Sequence, residues 1–169
     1  MTEKKELKGI GGFLAFLIIS LGLLSPAVTV YGYYTNVILA EQTSHVASQP
    51  VWGTFKMIAM GFMLAGCVLF WLAAYGLFRH HVWRSVRRAI LAMWVAYVGL
   101  DVLAMAVFYI VFGKEFVLIT LQGVTGDAVR SLIYPSIWTL YLLRSRRVRN
   151  TYRRESDLEE MARYMGMKE

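Results

Sequence analysis

The chain has 169 residues, 57% of them apolar and only 17% charged, with a formal net charge of +7. So apolar a composition at this length excludes an ordinary soluble domain, and the single cysteine excludes an intrachain disulfide. Basic residues gathered beside apolar runs read as orientation signals of membrane helices, which excludes a nucleic-acid-binding face. The expected class is an all-α integral membrane protein. It would be a four-transmembrane-helix bundle, N-in/C-in, with a short cytoplasmic C-terminal amphipathic helix.

Residues 1–8 form a short polar start carrying Lys4, Lys5 and Lys8. The apolar run that follows is too long for the core of a secretory signal, so residues 9–34 read as an uncleaved first span. Small residues at Gly11, Ala15, Gly22 and Ser25 fall along one stripe, on which a neighbouring helix can approach closely. Pro26 lacks the N–H that would bond the carbonyl of Gly22, so a kink is expected there. Tyr31, Tyr33 and Tyr34 then suit an interfacial belt.

Residues 35–52 are expected to be an external loop, since they hold no lysine or arginine. Glu41 and His45 would stand one turn apart if the loop were helical. Two ligands do not define a metal site, and a solvated loop is the favoured reading. Residues 53–78 form the second span, with Lys56 reaching out of its external end and Ala59, Gly66 and Ala73 repeating every seven residues as a seam for a helix partner. Met57, Met60 and Met63 read as adaptable apolar filler.

Residues 79–88 make a turn with four arginines, hence a cytoplasmic one. His80 and His81 are adjacent, point to different faces, and suit a helix C-terminus better than a metal. Residues 89–112 are the third span, an apolar run of about 24 residues, enough to cross a bilayer once. Its one charge is Asp101, and an ionisable residue within a span is a functional-site hypothesis in need of a partner. After an expected external loop at 113–125, the fourth span covers 126–143 and encloses Arg130, with Pro135 freeing the carbonyl of Ser131 and Trp138 and Tyr141 marking the inner interface.

The tail, 144–169, opens with RSRRVRNTYRR. Arg144, Arg146, Arg147, Arg149, Arg153 and Arg154 are expected to meet anionic lipid headgroups or a partner. Ser156 and Glu159 have capping-box spacing, and Leu158, Met161 and Met165 share one face of a short helix.

Four spans with both ends inside place 15 of the 18 lysines and arginines in the cytoplasm, leaving Lys56, Lys114 and Arg130. Depth can then be counted from the inner helix ends. Asp101 lies about 18 Å up and Arg130 about 20 Å up, at 1.5 Å per residue. Level residues on consecutive helices suggest an intramembrane ion pair or relay, with Tyr97, one turn below Asp101, as a further hydrogen-bond donor.

At the two ends the residues resemble a known family. Leu7, Lys8, Gly9, Ile10, Gly11, Gly12, Phe13 and Leu14, with Trp138, Tyr141 and the run from Ser145 to Tyr152, resemble the signatures of the YdgK-like family of small four-helix proteins of the bacterial inner membrane. Phe13, Arg146 and Tyr152 stand where the family pattern has tryptophan, lysine and phenylalanine. The resemblance implies a multi-pass architecture in that membrane and carries over no catalytic residue, because the family's activity is unassigned. The glycines near the start and the basic tail motif would sit at one membrane face. Whether they meet there or are plain helix ends stays open.

No nucleophile–base pair, metal-ligand set or phosphate loop is present, so no enzyme, no catalytic residue, no metal and no cofactor are expected. A structural or regulatory membrane protein is the first reading, with Asp101 and Arg130 as a buried pair that fixes the bundle. The alternative is a small proton- or ion-linked transporter or channel using the same residues, for which a homo-oligomer would supply a missing wall.

Overall fold

The computed structural model describes residues 9–43, 48 and 50–152, without the side chains at positions 43, 115–128 and 130. Residues 1–8, His45, Arg153, Arg154 and the tail helix expected around Ser156 lie outside the described residues. The fold is all-helical. Helix α1 comprises Phe13–Ile19, a wide π-turn at Ser20–Leu24, and Ser25–Thr43. Helix α2 is Val51–Arg79. Helix α3 comprises Trp83–Trp94, a second π-turn at Val95–Gly99, and Leu100–Phe112. Helix α4 is Lys114–Arg144, and the short α5 is Arg146–Thr151. Among the described residues, three helices are long and apolar enough to cross a membrane: Phe13–Gln42, Val51–Arg79 and Trp83–Phe112.

Two expected loops are largely helix. Residues 35–43 continue α1, because nothing between Thr35 and Thr43 breaks a helix and the Thr35 hydroxyl bonds back to the carbonyl of Tyr31 at 2.9 Å. Glu41, expected in that loop, instead accepts from Trp52 Nε1 and from Lys56 Nζ, each at 2.8 Å, and so ties the outer ends of α1 and α2. The expected loop at 113–125 shrinks to Gly113. Its φ of 85° suits only glycine, and α4 starts at the next residue.

Pro26 has no N–H to offer the carbonyl of Gly22. The freed carbonyl of Gly22 falls in the π-turn and accepts from Trp71 Nε1 at 2.9 Å, so a lost helical bond becomes a bond between α1 and α2. In hydrocarbon such a bond matters, because no water can replace it.

The buried core is concentrated at one end. Leu14, Leu17 and Leu21 of α1 meet Phe70, Ala73, Ala74 and Leu77 of α2, Val86, Ala89 and Met93 of α3, and Trp138 and Leu142 of α4. Gly22 lets α1 approach α2 until a Cβ there would lie 3.6 Å from that of Ala74, and Gly66 does the same toward Leu100 at 3.7 Å. At the other end α3 buries no residue between Leu100 and Phe112. Phe55 stacks on Trp52 and Phe108 and meets Phe112 edge-on there, across α2 and α3, with centroids 5.1–6.1 Å apart.

Candidate functional site: a polar seam and a joint of the chain ends

The polar side chains inside the bundle form a seam across α1, α3 and α4. Ser20 Oγ and Tyr134 OH share a hydrogen bond of 2.7 Å. Tyr97 OH donates to Ser25 Oγ at 3.2 Å, and the Thr29 hydroxyl donates to the carbonyl of Ser25 at 2.8 Å. Farther along, Ser131 Oγ donates to Asp101 Oδ2 at 3.0 Å. The rings of Phe70, Tyr97 and Tyr134 pack at 4.9–5.0 Å beside this seam. Thr29, Met63, Gly66, Tyr97, Asp101 and Ser131 line a cavity of about 210 Å³.

Both π-turns flank the seam. Ser20–Leu24 ends just before Ser25, and Val95–Gly99 contains Tyr97 and stops two residues short of Asp101. A π-turn inserts a residue into a helix and re-aims the side chains beyond it, a distortion often found at functional sites. This corrects the expected role of Tyr97. One turn of ordinary helix would set Tyr97 and Asp101 on a common face; the wider turn shifts that register, and Tyr97 bonds Ser25 of α1 instead.

The burial expected of the Asp101 carboxylate is not shown among the described residues. Asp101 is exposed at the rim of the cavity, because this half of α3 buries nothing. Its contact with Ser131 nevertheless sets it level with the neighbour of Arg130 on α4. The Arg130 side chain lies outside the described residues. Ser20, Ser25, Ser131 and Tyr134 were not singled out as site residues from the sequence. Their signal was depth: Ser131 and Tyr134 lie within one turn of Arg130, level with Asp101 and Tyr97.

The second arrangement lies at the core end. Gly12, at φ 57° and ψ −134°, turns the chain into α1 in a conformation only glycine adopts freely. A Cβ at Gly11 or Gly12 would fall 2.9 Å from a guanidinium nitrogen of Arg147, so these glycines are the seat of that side chain. Gly9 N–H donates to Thr151 Oγ1 at 3.0 Å, while the Thr151 hydroxyl reaches the carbonyl of Arg147 at 2.8 Å. Ser145 caps α5 by accepting from the N–H of Val148. Val148 and Tyr152 are fully buried. Tyr152 OH donates to the carbonyl of Leu77 at 2.6 Å, and its ring stacks on His81 at 6.0 Å.

Residues 9–12 and 147–152 therefore meet, and the turn between α2 and α3 meets them. The four described arginines of the tail are not placed alike. Arg147 is half-buried in the joint, whereas Arg144, Arg146 and Arg149 are exposed.

A family model described as "Protein of unknown function (DUF2569)" matches residues 7–153, a stretch that takes in both terminal motifs. No curated protein and no solved structure matches the chain.

Proposed function

We propose, for a chain that belongs to the DUF2569 family of proteins of unknown function, a structural or regulatory role in the bacterial inner membrane, with four spans and both ends cytoplasmic. Helix α4 is the fourth span, and the YdgK-like naming, which rests on the two terminal motifs, is part of the same proposal. The observation that carries the role is the bond from Gly9 to Thr151, which ties the start of the first span to the end of the last. A joint of this kind holds the base of the tail at a fixed place and angle. Exposed Arg144, Arg146 and Arg149 then face anionic headgroups or a protein partner, and Arg153 and Arg154 extend the same basic run. In this reading Asp101 and Arg130 pair across α3 and α4 and set their register.

A second reading is favoured by one observation, the cavity that Asp101 shares with Thr29, Tyr97 and Ser131. An exposed carboxylate beside hydroxyls within a membrane suits a proton or cation relay, with a homo-oligomer closing the open side. Proteoliposomes under an imposed pH gradient separate the two. The structural reading expects proton flux equal to that of protein-free vesicles, with Asp101→Asn making no difference. Flux that Asp101→Asn abolishes would overturn it in favour of the relay.

A further inference from the structure

A groove of about 350 Å³ runs between α2 and α3 on the outside of the bundle, away from the polar seam. Leu69, Leu72 and Ala92 give it apolar walls, buried Ala73, Ser85 and Ala89 lie deepest, and half-buried Gly76 adds no side chain. A Cβ at Gly76 would meet nothing within 4 Å, so the absence of a side chain there leaves open space. His80 stands at its α2 end, and Arg88 lies on the α3 wall between Ser85 and Ala92; both are exposed. The His80 ring is held edge-on to Tyr75 at 6.2 Å. From His80 up to Leu69 the groove extends about 16 Å along the helix, at 1.5 Å per residue.

The charge around the groove has one sign. From Arg79 to Leu100 the sequence has four arginines and two histidines and no aspartate or glutamate. A cleft that is cationic at the membrane surface and apolar below it matches an amphiphile with an anionic head and a hydrocarbon tail. A soluble anion would gain nothing from the leucine walls, and a zwitterionic lipid, whose ammonium offsets its phosphate, would gain less from Arg88 than an anionic one.

We infer that this groove is a binding site for one anionic phospholipid, its phosphate on Arg88 and His80 and an acyl chain laid over Gly76 between Leu72 and Ala92. The site is separate from the exposed arginines of the tail, and it requires only that α2 and α3 lie in a bilayer, whichever way they face.

Native mass spectrometry of the full chain in detergent, with phosphatidylglycerol and phosphatidylcholine supplied in equal amounts, tests this. Phosphatidylglycerol should be retained in preference. Arg88→Gln should lower its retention about fivefold, as expected for one basic contact at a membrane surface. Gly76→Leu, which puts a side chain into the open space of the groove and favours helix, should lower retention of both lipids, while Arg149→Gln should leave the preference intact. Equal retention of the two lipids by the natural protein would overturn the site. So would phosphatidylglycerol retention unchanged in Arg88→Gln, a surface substitution that leaves the core untouched, or a preference lost in Arg149→Gln.

Discussion

Replacing Tyr152 with alanine is expected to cost about 3–5 kcal/mol of stability in detergent, the range for removing a large aromatic side chain from a packed core. Tyr152 is fully buried and its ring stacks on His81. Its hydroxyl serves the carbonyl of Leu77 in the last turn of α2, where carbonyls run out of helical partners. Tyr152→Phe keeps the ring and strands that carbonyl, so about 1–3 kcal/mol should be lost. The phenol also makes the joint sensitive to alkali. Burial, with the neighbouring Tyr141 adding to it, pushes the Tyr152 phenol from the ordinary 10 up to about 12. The folded state therefore holds the proton more tightly than the unfolded chain. Its contribution is complete below pH 10 and fades as the pH rises toward 12. Thermal unfolding followed from pH 8 to 12 should show that decline in the natural protein and a shallower one in Tyr152→Phe. Identical pH profiles would place the phenol in water and the tail off the bundle.

The second large effect belongs to the proposed pair. Asp101→Asn and Arg130→Gln should each cost about 1–3 kcal/mol, the scale of a charge-assisted contact, because the Asp101 carboxylate stands exposed at the cavity rim and not in a dry core. The double change should cost less than the sum of the two. Ser131→Ala removes the hydroxyl that bonds the exposed carboxylate at 3.0 Å and should cost about 0.5–1.5 kcal/mol. A double-mutant cycle on thermal unfolding reads the coupling directly. Strict additivity of Asp101→Asn and Arg130→Gln would mean that the two side chains do not interact, and the relay reading would then gain.

What the sequence made legible was whatever follows from apolar length, charge position and proline chemistry. The three apolar spans, the turn at His80 and His81, the freed carbonyl of Gly22 and the common depth of Asp101 and the Arg130 region are of this kind. Each depends on counting residues along one helix. What stayed hidden depends on local helix geometry or on a neighbour. Neither π-turn has a sequence signature, so the rotation that sends Tyr97 to Ser25 rather than Asp101 could not be counted. Residues 114–125 looked like a loop for their mixed polarity, yet only Gly113 breaks the backbone there. The partners of Gly11, Gly12 and Tyr152 lie more than 70 residues away in sequence, and no periodicity connects them.

The proposed placement of both chain ends on the cytoplasmic side is what the tail contact and the membrane orientation depend on. Cysteine labelling tests it most directly. In a Cys67→Ala background, Ser44→Cys and Ser156→Cys variants are treated with a membrane-impermeant maleimide in spheroplasts, before and after permeabilisation. Ser44→Cys is predicted to label in intact spheroplasts, and Ser156→Cys only once the membrane is opened. Labelling of Ser156→Cys in intact spheroplasts, with Ser44→Cys protected until permeabilisation, would contradict the account.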